Sequence, residues 1–180
     1  MTCRQHIQDR VAGDPIEPRT FRDTLGHYAS GITIVSGFDG AEPIGFTCQS
    51  FCSVSVDPPL VAFSVMKTST TYPRIRQTGK FAVNVLAQTQ HVISNQFARK
   101  GTDKWAGIEW RLSRRENPLI EDTLMWLDCG LFAEHEAGDH HIVVGRVHEM
   151  SPVSWHRGEP LLYFRGEYRH LRDVNGRRVR

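Results

Sequence analysis

The chain has 180 residues, with 22 lysines and arginines against 20 aspartates and glutamates, a formal charge of +2. That length suits one domain with a substantial core, and 39% hydrophobic with 23% charged residues excludes a disordered or fibrous chain. So small a charge implies no nucleic-acid partner, and no stretch approaches the roughly 20 apolar residues that a membrane span requires.

Residues 1–16 lack periodicity, carry Gly13, Asp14 and Pro15, and read as a flexible leader. No apolar segment follows Met1, so a secretory signal is not expected and the protein is placed in the cytoplasm. The domain is expected over 17–170. Phe21, Leu25 and Tyr28 recur at helical spacing after Pro18 and predict a short amphipathic helix ending by Gly31. Ile32 to Ser36 is β-branched, Asp39-Gly40 has turn chemistry, and Ile44 to Val56 continues the hairpin. Within it, Gly45-Phe46-Thr47-Cys48-Gln49-Ser50-Phe51 puts small polar side chains into a strand. A strand that only built a core would not need them. Their hydroxyl and amide groups, with Gly45 allowing close approach to the backbone, suit a planar polar heterocycle with a phosphate tail.

Pro58-Pro59 breaks the chain before the apolar strand Leu60 to Val65. Thr68 or Ser69 is then a cap for a helix reaching Gln77, with Gly79 closing it. Ser64-Val65-Met66-Lys67-Thr68-Ser69 sets hydroxyls and a cation where strand meets helix, which suits either a phosphate or an ordinary capped helix. Strand Phe81 to Leu86 follows, then a helix capped by Thr89 with Val92, Ile93 and Phe97 on its apolar face. Phe97-Ala98-Arg99-Lys100 at its end adds an aromatic and two cations. Residues 98–123 read as loop with a short strand around Trp110. Met125 to Glu134, His141 to Met150 and Leu161 to Phe164 read as strands.

Gly138-Asp139-His140-His141 forms a turn between two of these strands. Adjacent histidines alternate faces, so the pair would not hold one metal, and no metal site is expected. One of them can face a pocket and contact a second ligand. Cys3, Cys48, Cys52 and Cys129 have no CxxC spacing and are expected as free thiols. Residues 171–180 read as a basic, solvated tail. Mostly antiparallel β with two or three helices implies a closed barrel, a mostly β fold.

In order along the chain, Ala29 to Val35, Gly45 to Phe51, Asp57-Pro58-Pro59-Leu60-Val61, Phe81 to Leu86, Phe97-Ala98, Asp103-Lys104-Trp105 and Gly138-Asp139-His140 resemble the short-chain flavin reductase family. These are the reductase components of two-component flavin monooxygenases. The Gly45 to Phe51 and Asp103 to Trp110 runs are similar to reductases serving hydroxylases of phenols or of a phenolic steroid-ring intermediate. The resemblance implies an FMN-binding split barrel, a homodimer with flavin near the subunit interface, and hydride transfer from NADH or NADPH to FMN or FAD. Reduced flavin then diffuses to a separate oxygenase. No protein group need act as a catalytic residue, because the cofactors carry the hydride chemistry.

By position, the resemblance puts Gly45, Phe46, Thr47, Cys48, Gln49 and Ser50 along the isoalloxazine and ribityl chain. Ser64, Lys67 and Ser69 surround the phosphate, and Phe97, Ala98 and Arg99 close that side. His140, with Tyr168 nearby, contacts the nicotinamide. His141 departs from the apolar residue expected there, which leaves open which histidine faces the pocket. Two other readings stay open: a flavin-binding electron carrier or reductase of another acceptor such as a corrin, and a non-catalytic split-barrel interaction module.

Overall fold

The computed structural model describes residues 15–156 and 158–171. The expected leader and basic tail therefore lie outside the described residues, save for Pro15, Ile16 and Leu171. Helix α1 (Pro18–Leu25) starts where expected: Pro18 sits in its first turn and the Glu17 carboxylate accepts the N–H groups of Arg19 and Thr20 at 2.9 and 2.7 Å. It ends six residues before Gly31, and none of its residues is buried.

Strands β1 (Ser30–Gly31), β2 (Thr33–Phe38), β3 (Pro43–Cys48), β4 (Cys52–Ser55) and β5 (Leu60–Met66) follow. Then come α2 (Tyr72–Thr78), β6 (Lys80–Val85), a 3-10 turn (Gln88–Gln90), α3 (His91–Ala98), β7 (Trp110–Leu112) and β8 (Pro118–Ile120). The chain continues through β9 (Met125–Ala137), β10 (His140–Met150), β11 (Leu162–Phe164) and β12 (Glu167–Arg169). The main antiparallel sheet runs β3-β2-β6-β9-β10-β5-β4, while β1, β11 and β12 form a small sheet and β7 pairs with β8.

A closed barrel was the expectation from the strand content; the ladder stays open, because its end strands β3 and β4 do not pair with each other. The chain leaves β3 at Cys48, crosses through Gln49 to Phe51, and enters β4 at the opposite edge, beside β5. Cys52 to Ser55 therefore does not continue the β2–β3 hairpin. The barrel is split along this seam.

Its interior is filled by Val35, Phe63, Phe81, Val83, Cys129 and Val143, with Ile75 and Tyr72 of α2 against it. The opposite face of β2 and β6 is also covered: Ile34, Leu86, Phe97 and Ile120 form a second cluster. Burial on both faces is why Ile32 to Ser36 is so continuously apolar and β-branched. The β7–β8 hairpin, where only a short strand near Trp110 was expected, is tied to the barrel through Asn84. That buried amide accepts from Ile120 N–H at 2.9 Å and donates to Ser36 Oγ at 2.9 Å. Such long-range partners leave no periodic trace in the segment itself.

Both helices differ from expectation at their starts. Gly79 closes α2 in the left-handed region (φ 67), but α2 begins only at Tyr72, and Ser69 Oγ accepts the Tyr72 N–H at 3.1 Å. Thr89 lies in the 3-10 turn and does not cap α3, where Val92 is exposed. Cys48, Cys52 and Cys129 are free thiols.

Candidate functional site

The seam opens into a cleft of about 520 Å³ between the ends of β3 and β5. Phe46, Thr47, Cys48, Gln49 and Ser50 form one wall, Ser64, Val65 and Met66 the facing one, and Thr68 to Thr71 the approach to α2. Phe97 and Ala98 at the end of α3, with Lys100 and Lys104 beyond it, close one side, and His140 stands at the rim. Most of the expected cofactor residues thus meet in one place, drawn from segments far apart in the chain.

The hydroxyls of the polar run are largely engaged by the fold. Thr47 Oγ1 donates to Ser94 O at 2.7 Å, tying β3 to α3. Ser50 Oγ accepts Ser64 N–H at 2.7 Å and donates to Ser64 O at 3.0 Å, so it bridges the seam where ladder pairing stops. What remains along this wall is the exposed Gln49 amide and the spare lone pairs of the hydroxyls. Cys48 is buried, and burial raises its thiol above the ordinary range, which makes it an inert wall rather than a nucleophile.

Gly45 is buried under α3 rather than at the cleft surface. A Cβ there would lie 2.8 Å from Phe97 Cε1 and 3.1 Å from Val35 O. The group that approaches this backbone is the chain's own phenyl ring, not a ligand. Phe97 in turn makes an edge contact with Trp105 at 4.9 Å.

Two of the expected cations lie elsewhere. Lys67 Nζ pairs with Glu136 at 3.3 Å on the β9–β10 hairpin, and Arg99 is an exposed residue ending α3. Lys104 occupies the cleft instead. Its Nζ donates to Gly45 O at 3.3 Å, and burial holds its ammonium below the usual lysine range. No carboxylate lies within ion-pair distance of it among the described residues, so its desolvation is compensated only by a carbonyl. Lys104 appears in the sequence within Asp103-Lys104-Trp105, but nothing in that tripeptide shows that the loop folds back over β3. Thr70 and Thr71 are likewise wall residues outside the runs singled out in the sequence, and Val65 and Met66 lie within the Ser64–Ser69 run without having been given a role there.

Of the two histidines, His140 borders the cleft and His141 turns the other way. His140 Nδ1 lies 2.7 Å from Asp139 Oδ1; an Nδ1–H donated there leaves Nε2 available to a ligand. His141 rests on the Tyr72 ring with its Nδ1 3.5 Å from Glu134 Oε1. That carboxylate also pairs with Arg76 at 3.1 Å and accepts the Tyr72 hydroxyl. Tyr168 does not line the cleft: its hydroxyl lies 3.0 Å from Ser94 Oγ and donates to Asn95 Oδ1 at 2.8 Å, on the outside of α3.

An apolar slot flanked by Phe46 and Phe97, ending in hydroxyls and two lysines, is complementary to a flat ring system carrying a phosphate ester. Residues 25–172 match the family model described as flavin reductase like domain. The flavin-dependent monooxygenase reductase subunit HsaB of Mycobacterium tuberculosis is 43% identical over 153 residues, covering 85% of this chain and 82% of that one. The solved nitrilotriacetate monooxygenase component B homologue from Mycobacterium thermoresistibile superposes with a TM-score of 0.81 at 42% identity, covering 84% of each chain. The NADH:FAD oxidoreductase SgcE6 of Streptomyces globisporus, solved with NAD and FAD fragments, gives a TM-score of 0.82 at 31% identity over 90% of this chain and 99% of that one.

Proposed function

The chain belongs to the flavin reductase family, and from that premise we propose that it reduces flavin with a nicotinamide donor and releases the product to a separate oxygenase. The observation that carries this reading is Lys104: a half-buried cation with no counter-ion among the described residues, lining the same cleft as the hydroxyls of Thr68 to Thr71 and the rings of Phe46 and Phe97. Lys100 and Lys104, with Thr68, Ser69, Thr70 and Thr71, hold the flavin phosphate. Phe46, Val65 and Phe97 exclude water from the ring, and Gln49 meets its polar edge. Flavin held there would supply the hydride-accepting ring and the reduced nicotinamide the hydride, so the contribution of these residues is alignment. His140, steadied by Asp139, holds the nicotinamide nucleotide against the open face of the slot.

The oxygenase reading draws on relatives named as monooxygenase reductase subunits. The Gly45–Phe51 and Asp103–Trp110 runs favour a partner that hydroxylates phenolic compounds. The catalytic unit is a homodimer. Helices pack on β2, β3 and β6, whereas exposed Val54, Met66, Phe132 and Ile142 lie on the neighbouring strands β4, β5, β9 and β10. A second copy on that face would bury these side chains and reach the His140 rim.

Gel filtration after incubation with NADH and FMN tests release and assembly together. The protein elutes at the mass of two chains, with flavin in the small-molecule fraction. Flavin retained on the protein favours the electron-carrier reading, and elution as one chain contradicts the dimer.

A further inference from the structure

Gln49 borders a second cavity, of about 830 Å³, between α1 and the β11–β12 hairpin. This volume falls within the range of small-molecule sites, about 300–1,000 Å³. Its lining includes Arg22 and Arg165, the aromatic rings of Phe21 and Tyr163, and His27. Neither guanidinium forms an ion pair among the described residues, whereas Asp23 beside them is 3.9 Å from Arg19. Phe21, on a helix with no buried residue, is 52% exposed beside this cavity, so it serves no core.

The hairpin turn is built at a cost. Arg165 and Gly166 both have positive φ, 52° and 81°, and the first position suits asparagine or glycine better than arginine. The Arg165 N–H donates to Gly26 O at 2.9 Å, which latches the turn to the end of α1. Its guanidinium makes no hydrogen bond among the described residues.

We infer that this cavity is the subsite for the adenosine-phosphate half of a dinucleotide whose reactive half lies in the flavin cleft. Phe21 and Tyr163 offer aromatic faces for a purine, and the two guanidinium groups match phosphate oxygens. Gln49 borders both cavities, so one extended molecule spans them. This inference rests on the flavin reductase reading. The nicotinamide donor and FAD share the adenosine diphosphate chemistry, and the test separates them.

Arg22→Gln and Arg165→Asn are combined in the full chain, asparagine being compatible with the turn. Calorimetry with ADP-ribose, which has neither nicotinamide nor flavin, gives a dissociation constant about tenfold higher in the variant, while the FMN constant stays within about twofold. A KM for NADH raised about tenfold, with that for reduced nicotinamide mononucleotide unchanged, identifies the hydride donor as occupant. A dissociation constant raised for FAD but not FMN identifies FAD. ADP-ribose that does not bind the wild-type protein, or binds both proteins equally, overturns the subsite. Because ADP-ribose binding needs no turnover, a protein that binds it yet reduces no flavin refutes the reductase reading and leaves the subsite standing.

Discussion

Replacing His140 with alanine raises the KM for reduced nicotinamide about tenfold and leaves the flavin dissociation constant within about twofold. The reason lies in the placement of the ring. His140 borders the cleft from the tip of β10, while the hydroxyls and lysines that suit the flavin phosphate come from the loop before α2 and from the segment after α3. Its Nδ1 is committed to Asp139 at 2.7 Å, so its loss removes one oriented contact from the rim and none from the slot. A single hydrogen bond contributes about 0.5–1.5 kcal/mol when neutral and more when charge-assisted, which sets the expected factor. His141→Ala is the internal control. That side chain faces Glu134 and Tyr72, so its loss lowers stability without moving the nicotinamide KM. Equal effects of His140→Ala on flavin and nicotinamide would reject the assigned role.

Lys104→Gln weakens FMN binding about tenfold and leaves riboflavin, which lacks the phosphate, within about twofold. In the free protein, burial holds the Lys104 ammonium below the usual lysine range, and its one hydrogen-bond partner among the described residues is a carbonyl at 3.3 Å. A phosphate dianion beside it offsets that desolvation, which glutamine cannot do. Lys104→Arg restores most of the affinity because charge, rather than packing against Gly45, is the quantity lost. The loss also shrinks as salt is raised, since the cleft is open to solvent. FMN and riboflavin weakened equally would mean that Lys104 only braces the loop over β3. Lys67→Gln, by contrast, leaves FMN binding unchanged, because Lys67 is paired with Glu136.

The contrast between these two lysines shows what could be read from the chain and what could not. The polar run at Gly45 to Ser50 stood out because small hydroxyl and amide residues are unusual in a strand that only fills a core; its residues from Phe46 to Ser50 do line the cleft, while the Thr47 and Ser50 hydroxyls bond to Ser94 and Ser64 of the fold itself. Ser64, Ser69, Phe97 and Ala98 were legible as parts of ordered motifs, and the structure gathers them around the same cleft. Side-chain direction was not legible. Lys67 lies one residue past β5 and turns to the β9–β10 hairpin, while Lys104 reaches the cleft from a loop that shows its path only in three dimensions. Long-range pairing was hidden in the same way. Cys52 to Ser55 belongs to the far edge of the sheet, and the β7–β8 hairpin is held by Asn84, more than twenty residues before it.

Gly45 carries a similar lesson. Its lack of a side chain was read as room for a ligand against the backbone, but the neighbour is Phe97, so the glycine shapes the cleft by seating α3. Tyr168 acts on the same helix from outside, through Ser94 and Asn95. The walls of the slot are therefore set by contacts that never touch a ligand, consistent with a protein whose contribution to hydride transfer is alignment.

The most direct test of that account is anaerobic mixing of the purified protein with NADH and FMN, both in large excess over protein, following nicotinamide absorbance at about 340 nm and flavin absorbance at about 450 nm. The expected result is parallel loss of both signals through many equivalents of flavin per chain. No loss above a protein-free control, or bleaching that stops at one flavin per chain, would contradict it.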